Sequence, residues 1–280
     1  MKLLPFYIDD IIERALMEDI NYTDAATDYL LDDGMQSKAM LISKDDGVLC
    51  GLDFGLRVFE KLDNHINIIK HKNDGGIISK GDLIAEISGS TTTLLKGERT
   101  ALNIMQHMSG IATKTSRLVK LVEGTKASIC DTRKTLPGLR ALQKYAVVMG
   151  GGRNHRFNLS DAAMLKDNHI DAYGGIIPAV EALREKVGHM IKIEVETRNL
   201  DEVRQALKCG AEVIMLDNMD CAAMSEAVKL GAGKALFEAS GNVTENNIRQ
   251  VAETGVDIIS VGALTHSVKA FDISMRIAKD

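Results

Sequence analysis

The chain has 280 residues, of which 45% are hydrophobic and 26% charged, and its formal net charge is −5. At roughly 150 residues per domain, this length predicts one or two domains with a sizeable core. The acidic balance and the lack of Trp argue against a general nucleic-acid binder, because such proteins have a basic excess and aromatic stacking platforms.

The cysteines and the apolar segments indicate the compartment. Cys50, Cys130, Cys209 and Cys221 form no CxxC pair and have no zinc-type spacing to histidine, which favours reduced thiols packed as small hydrophobes. Residues 1–19 mix acidic with apolar residues and lack the long apolar stretch of a signal peptide. No apolar run reaches the roughly 20 residues of a membrane helix. We therefore expect a cytoplasmic protein that binds neither membranes nor nucleic acids.

The first hundred residues predict a small α+β domain. Helical periodicity at 8–17 is followed by short apolar runs that are separated by turn sequences, at 39–42, 66–69 and 83–87. A long helical pattern from about 94 to 122 is more typical of core packing than of a binding face. We place this domain at residues 1–110 and expect a C-terminal helix at about 268–280 to pack on it.

The second part of the chain, residues 111–280, alternates strand and helix patterns. The predicted strands are 127–130, 163–165, 191–195, 213–216, 235–237 and 257–261. Such alternation predicts an α/β fold with a parallel sheet and helices outside it. Because a full β/α barrel has eight units, six units predict an incomplete barrel. A doubly wound open sheet remains the alternative.

Basic residues cluster where the predicted strands end, which is where β/α barrels place their functional groups. They are Arg133, Lys134, His155, Arg156 and Lys166. Cations crowded at one mouth repel one another unless an anion neutralises them, and Arg can bind carboxylate or phosphate bidentately. The alternative is that these residues form structural salt bridges with acids. Three glycines precede Asn154, His155 and Arg156, which is typical of a binding loop.

Acidic and glycine-containing strand ends complete the predicted mouth. Glu196 and Asp217 suit Mg²⁺ beside a phosphorylated substrate, or the hydroxyls of a ribose. The turns 240–242 and 261–263 each contain glycine between a strand and a helix, where backbone N–H groups and the helix dipole favour phosphate. His266 could contact that phosphate or cap the last helix, and both interpretations stay open.

Together these segments resemble the quinolinate phosphoribosyltransferase family. The matching stretches are GERTALN at 97–103, SGIAT at 109–113, DTRKTLPGLR at 131–140, QKYAV at 143–147, GGGRNHR at 150–156, LKDNHI at 165–170, EVE at 194–196, MLDN at 215–218, EASGN at 238–242 and VGALTHS at 261–267. The combination is specific, and it covers the chain from about residue 97 to 275. His107 and Leu136 depart from the pattern, since Arg and Thr are common there.

The resemblance implies an N-terminal α+β sandwich, an incomplete barrel and a homodimer with shared active sites, with a higher oligomer left open. Arg99 would reach the neighbouring subunit's site. The groups around the dicarboxylate and pyrophosphate would be Thr132, Arg133, Lys134, His155, Arg156 and Lys166. Glu196 and Asp217 would hold the ribose and Mg²⁺, the metal through water. The 5-phosphate would lie against Ser240, Gly241, Asn242, Val261, Gly262, Ala263 and His266. The catalytic set would be Lys134, Lys166, Glu196 and Asp217.

The implied reaction converts quinolinate and 5-phosphoribosyl 1-pyrophosphate into nicotinate mononucleotide, pyrophosphate and CO₂, in de novo NAD biosynthesis. One rival is a related protein from molybdate-transport gene neighbourhoods, against which the intact KDNH and TRKT segments argue. A second rival is a Schiff-base aldolase with Lys166 as nucleophile, which would need a more apolar setting than this crowd of Arg and His. A non-catalytic binding module is the third.

Overall fold

The computed structural model describes residues 3, 5–32 and 34–278. The helices are α1 Pro5–Asp19, α2 Thr27–Leu30, α3 Leu52–Leu62, α4 Thr91–Leu121, α5 Arg140–Met149, α6 Asp167–Tyr173, α7 Ile176–Lys186, α8 Leu200–Lys208, α9 Cys221–Leu230, α10 Ile248–Glu253 and α11 Ala263–His266. The strands are β1 Gln36–Ser43, β2 Gly47–Val48, β3 Asn67–Lys70, β4 Ile77–Ile78, β5 Leu83–Ser90, β6 Ser128–Cys130, β7 Ala163–Leu165, β8 Ile193–Thr197, β9 Val213–Asp217, β10 Leu236–Ser240, β11 Ile258–Ser260 and β12 Ile273–Ile277.

The chain forms two compact units. The N-terminal unit comprises Met1–Ser116, Thr135–Gly151 and Leu264–Asp280, and the barrel unit comprises Arg117–Lys134 and Gly152–Ala263. The sequence pattern predicts a boundary near residue 110 and a segment at about 268–280 that packs on the N-terminal domain, whereas Thr135–Gly151 also belongs to the N-terminal unit. A local pattern cannot show this, because the returning segments are defined by contacts with distant residues.

The N-terminal unit is built on an antiparallel sheet of order β12-β1-β5-β3. Burial alternates along β1, where Ala39 and Leu41 are fully buried, because successive side chains point to opposite faces of a strand. Ala85 and Ile87 of β5 are buried with them, and they stand opposite Leu41 and Ala39 in the register. Helix α1 packs on α3. The predicted α+β architecture is confirmed.

The expected C-terminal helix is wrong, because this segment forms β12. β12 pairs antiparallel with β1, in a register that places Ile277 opposite Ala39 and Ile273 opposite Ser43. Phe271, Ile273, Met275 and Ile277 recur at every second residue, a strand period rather than a helix period. Residues 279 and 280 of the expected helix lie outside the described residues.

The SGIAT stretch within α4 has a structural explanation. The Ser109 hydroxyl accepts the Cys50 N–H at 2.9 Å and lies 3.0 Å from the Cys50 carbonyl. Thr113 accepts the Val48 N–H at 3.0 Å. A Cβ at Gly110 would collide with the carbonyl oxygen of Lys269, so only glycine admits this approach. The motif therefore joins α4 to neighbouring backbone within the N-terminal unit.

The barrel unit contains a six-stranded parallel sheet of order β6-β11-β10-β9-β8-β7. The strands from β7 to β11 lie side by side in chain order, and β6, which precedes them all in the chain, pairs with β11. A doubly wound sheet would instead reverse direction at a switch point, so the predicted incomplete barrel is confirmed. Arg153, in the segment between α5 and β7, pairs with the outer edge of β6. Its N–H donates to the Ile129 carbonyl at 2.8 Å.

The helices described between residues 5 and 278 include none with both the length and the apolar character needed to cross a membrane.

Candidate active site

A cavity of about 650 Å³ opens at the carboxyl ends of the barrel-unit strands. Basic, acidic and small residues follow successive strands around it, as expected for a β/α barrel. The lining residues are Thr132, Arg133, Lys134, His155, Arg156, Met164, Lys166, Glu196, Met215, Asp217, Asn218, Glu238, Ser240, Gly241, Asn242 and Ser260.

A fully buried carboxylate, Asp131, holds the loop that carries His155 and Arg156. Asp131 follows β6 directly, and it accepts hydrogen bonds from the Asn154 side-chain amide and from the His155 N–H, the latter at 3.0 Å. The Asp131 N–H donates to the Arg153 carbonyl at 3.2 Å. A buried carboxylate needs hydrogen-bond donors, and here Asn154 and His155 supply them. The loop is therefore held at the cavity although it follows three glycines.

Two guanidinium groups crowd one side of the cavity. Burial lowers the pKa of Arg156, and the charge of Arg133 lowers that pKa further. Arg156 Nη1 donates to the Ala162 carbonyl at 2.8 Å. The Nε of Arg133 is buried, and it has no hydrogen-bond partner within the described residues. A bound carboxylate or phosphate would relieve this repulsion and supply an acceptor.

Lys166 and Glu196 form an ion pair at the ends of β7 and β8. Lys166 Nζ lies 3.0 Å from Glu196 Oε2, and the lysine side chain is half exposed. The Lys166 N–H donates to His169 Nδ1 at 3.1 Å, at the start of α6. The salt-bridge alternative therefore holds for Lys166, and both members of the pair line the cavity.

The ends of β9 and β10 form a tight polar turn. Asn218 Nδ2 donates to Asp217 at 2.9 Å, and Asn242 Nδ2 donates to Asn218 Oδ1 at 3.0 Å. Asn218 and Asn242 have φ of 54° and 51°, and such positive φ values are enriched at functional sites. Gly241 has φ of 89°, and a Cβ there would collide with the Asn218 amide, so glycine is required at 241.

A buried group of one histidine and two acids lies behind the mouth. His155 Nε2 is 3.1 Å from Glu194 Oε2 and 3.5 Å from Glu238 Oε2. Burial raises the pKa of Glu238 to about 7, with a further contribution from the charge of Glu194. Oε1 of Glu238 is buried and has no hydrogen-bond partner within the described residues. The three side chains are close enough to offer ligand atoms to one cation, but this geometry also suits a shared proton.

Both glutamates lie within matching stretches, Glu194 in EVE and Glu238 in EASGN, but the sequence assigns neither a role. A signal was present, since Glu194 precedes Glu196 by two residues in β8, and Glu238 precedes Ser240 by two in β10. Residues two apart on a strand share a face. An acid placed two residues before a functional strand-end residue therefore points to the same side of the sheet.

The cavity brings together most of the predicted site residues: Thr132, Arg133, Lys134, His155, Arg156, Lys166, Glu196, Asp217, Ser240, Gly241 and Asn242. Ser260, the last residue of β11, lines the cavity. The predicted site residues Val261, Gly262 and Ala263 follow it directly in the chain. Arg99 and His266 belong to the N-terminal unit. Arg99 is exposed on α4, and His266 is exposed at the end of α11, with Nδ1 2.7 Å from the Ser267 hydroxyl.

Family models match both parts of the chain. Residues 24–109 match the "Quinolinate phosphoribosyl transferase, N-terminal domain", and residues 111–276 match the corresponding C-terminal domain. A probable nicotinate-nucleotide pyrophosphorylase [carboxylating] of Bacillus subtilis is 43% identical over 95% of this chain and 92% of its own length. One of the same name from Methanocaldococcus jannaschii is 41% identical over 99% of each chain.

Solved structures agree with these relatives. NadC from Streptococcus pyogenes has a TM-score of 0.96 at 42% identity, over 99% of both chains. The nicotinate-nucleotide pyrophosphorylase from Francisella tularensis has a TM-score of 0.95 at 40% identity, over 99% of this chain and 98% of its own. The chain therefore belongs to the quinolinate phosphoribosyltransferase family.

Proposed function

We propose that the barrel-unit cavity binds quinolinate beside 5-phosphoribosyl 1-pyrophosphate and joins them with loss of CO₂, the activity implied by the family. One observation carries this assignment to the cavity. Two crowded guanidinium groups, Arg133 and Arg156, line the same cavity as the carboxylates Glu196 and Asp217 and the glycine turn at Gly241. Few ligands need an anion site, a hydroxyl or metal site and a phosphate turn together, and this pair of substrates does.

The dicarboxylate fits the basic side of the cavity. Quinolinate carries two carboxylates on adjacent ring carbons, and Arg133 and Arg156 can each hold one bidentately. The unpartnered Nε of Arg133 supplies a buried donor for such an oxygen. Thr132, Lys134 and His155 line the same cavity and complete the proposed dicarboxylate site.

The phosphorylated ribose fits the carboxylates and the glycine-containing turns of the cavity. We place its 5-phosphate at Ser240, Gly241 and Asn242, with Val261, Gly262, Ala263 and His266 as further contacts. Gly241 lets the backbone approach an anion closely, and a turn followed by a helix suits phosphate. Glu196 and Asp217 are assigned to the ribose hydroxyls.

Mg²⁺ is the proposed metal partner of the pyrophosphate. Glu196 and Asp217 end neighbouring strands and offer only carboxylate oxygens, which fits a hard cation that keeps its waters and binds one or two carboxylates with substrate phosphates. Bound there through water, Mg²⁺ would help to neutralise the charge of the departing pyrophosphate.

The chain's own residues then serve positioning and charge stabilisation. The pyridine nitrogen forms a bond to C1 of the ribose while the bond from C1 to pyrophosphate breaks. Lys134 and Lys166 offer ammonium groups to the leaving oxygens, an electrostatic effect worth about 3–4 kcal/mol per preorganised donor. The bond between the ring and its 2-carboxylate then breaks, CO₂ leaves, and the ring carbon takes a proton. Of the two candidates for delivering it, Lys134 and His155, we favour Lys134, because both ring nitrogens of His155 are engaged by protein groups.

The activity test uses quinolinate labelled in its 2-carboxylate, phosphoribosyl pyrophosphate and Mg²⁺. We expect equal amounts of labelled CO₂ and nicotinate mononucleotide, and loss of both when a chelator removes Mg²⁺. Product without CO₂, or nicotinate used equally well, would contradict the carboxylating assignment. A Schiff-base enzyme would instead be trapped by borohydride. Lys166 does not favour that rival, because a nucleophilic amine must be uncharged and Lys166 is ion-paired with Glu196.

We also propose a cytoplasmic homodimer, which higher oligomers would contain as their unit, in which Arg99 serves the partner's site. Arg99 is exposed on α4, as a residue that acts on another subunit must be. Arg99→Ala and Lys166→Ala proteins, each inactive alone, should regain activity when mixed and allowed to exchange subunits. Exchange without any recovery would contradict the shared site.

A further inference from the structure

Asn154, His155 and Arg156, three consecutive residues of the loop at the cavity, are each held by a neighbouring group. The Asn154 side chain and the His155 N–H bind Asp131. The His155 ring binds Glu194 and approaches Glu238. The Arg156 N–H donates to His155 Nδ1 at 2.8 Å. The backbone of Arg156 is thus tied through the His155 ring to the two buried glutamates.

These bonds select one form of the His155 ring. A peptide N–H can only donate, so Nδ1 must be unprotonated where it accepts from Arg156. The ring proton therefore lies on Nε2, which faces Glu194 at 3.1 Å. With both nitrogens engaged by protein, the ring's main effect in this arrangement is on the loop that presents Arg156.

The two acids suit this task because they are almost completely shielded from water. The side chains of Glu194 and Glu238 are 5% and 1% exposed, and that of His155 is 14% exposed. An acceptor in such a setting orients its donor strongly, since water cannot compete for the bond. The groups that face Glu238 are Glu194, His155, Asp131 and the Ser260 hydroxyl.

We propose that Glu194 and Glu238 are positioning residues that hold His155 in its Nε2–H tautomer and thereby aim the Arg156 guanidinium at the dicarboxylate substrate. The inference rests on the proposed function of this cavity. It goes further by separating the two substrates, because Arg156 serves the dicarboxylate, whereas the ribose and its phosphate lie at Glu196, Asp217 and the turn at Gly241. Loss of the acids should thus weaken one substrate and spare the other.

The test compares Glu194→Ala with Glu194→Gln, which keeps an acceptor oxygen, and measures KM for each substrate separately. We expect Glu194→Ala to raise KM for quinolinate about tenfold, as a misplaced contact does, with KM for phosphoribosyl pyrophosphate nearly unchanged. Glu194→Gln should stay close to wild type. Glu212→Gln is the matched control, because Glu212 is a partly buried acid at the opposite, amino-terminal end of the strands, paired with Arg184.

A second readout is the ¹⁵N NMR spectrum of the His155 imidazole, assigned with a His155→Gln protein and recorded without substrate. The wild type and Glu194→Gln should show the proton on Nε2, and Glu194→Ala should show a mixture of tautomers. If Glu194→Ala does not fold, Glu238→Ala against Glu238→Gln takes its place.

An unchanged tautomer in the alanine variant, or an equal rise in both KM values, would overturn the proposal. A wild-type protein that makes no nicotinate mononucleotide would instead remove the proposed function, while the tautomer still decides whether the acids position His155.

Discussion

Two acids, a part-buried one in the N-terminal unit and a buried one in the barrel unit, show how differently a fold can treat the same kind of group. Asp74 in the N-terminal unit accepts the N–H groups of Gly51 and Leu52, each at 2.9 Å, and the Tyr145 hydroxyl at 3.1 Å. Glu238 in the barrel unit has one oxygen 3.5 Å from His155 and the other without a partner within the described residues. Burial raises the pKa of both.

The difference separates architecture from function. Asp74 replaces the missing side-chain cap at the start of α3, where Gly51 is the capping residue, so its hydrogen bonds are nearly complete. Buried polar groups are normally satisfied in this way, and an exception needs a specific explanation. The incomplete bonding of Glu238, like that of Arg133 Nε, occurs beside the cavity, and it supports the proposal that Arg133 binds substrate and that Glu238 acts on His155.

The largest expected effect comes from removing a basic group of the cavity in the barrel unit. Arg156→Ala should lower kcat/KM for quinolinate by about 10²–10³-fold, because a charge-assisted bidentate contact is lost. The stability should change little, since the Arg156 side chain donates within the described residues to the Ala162 carbonyl, and its backbone bond to His155 is kept in the alanine variant. Steady-state kinetics with each substrate varied provide the measurement. Arg184→Ala, which breaks the pair with Glu212, is the control, and an equal loss there would refute the assignment.

The next largest effect concerns Asp74, the acid whose hydrogen bonds hold the start of α3. Asp74→Asn should lower the free energy of unfolding by about 2 kcal/mol, because one acceptor oxygen is replaced by a donor that faces backbone N–H groups. KM for both substrates should stay at the wild-type value. Urea unfolding measures the loss, and Tyr145→Phe, which removes a single hydroxyl, should cost less. A change in KM without a change in stability would show that Asp74 has a functional role.

A smaller effect concerns pH and the functional acid. The pKa of Glu238 is raised from 4.5 to about 7 in the folded protein. Its contribution is therefore present at low pH and is lost as pH rises toward about 7. Glu238→Gln does not titrate, so between pH 5 and 8 its free energy of unfolding should rise relative to that of the wild type, by on the order of 1 kcal/mol, and its melting temperature should rise with it. Parallel melting curves against pH would contradict this expectation.

The smallest effect comes from His107. Burial lowers its pKa below the ordinary 6.5, and its Nε2 lies 3.0 Å from the Gln143 side-chain amide, which also donates to the Thr265 carbonyl. Stability should thus be retained above the ordinary pKa and fall as pH drops below it, by about 0.5 kcal/mol after solvent screening. His107→Gln should lack this loss in thermal melts at pH 5 and 7.

The sequence predicted the barrel unit well because its information is local. Each strand ends in a polar residue, and parallel strands bring such ends to one edge, so Lys166, Glu196 and Asp217 could be grouped without a structure. Glu194 and Glu238 could not be given roles, since an acid inside an apolar strand reveals its function only when its neighbour, His155, is known. His155 lies on a separate loop, which Asp131 holds at the end of β6.

Long-range pairing explains the remaining differences. The sequence predicts a helix at about 268–280, whereas β12 forms there because it pairs with β1, which lies more than two hundred residues earlier. The helix α3 was not predicted, although Leu52, Leu56 and Phe59 lie on its buried face. The role of Arg99 comes from family resemblance alone, since its exposed position on α4 gives no contact from which a function could be derived.

The pairing of β12 with β1 also sets an order of events during synthesis. β1 borders β5 on one side and β12 on the other, so its outer edge stays unpaired until residue 277 has left the ribosome. An open strand edge invites pairing with other chains. The barrel unit ends at residue 263 and can close earlier, which reverses the usual order in which N-terminal regions fold first. A nascent chain stalled before β12 should therefore be the form most in need of a chaperone.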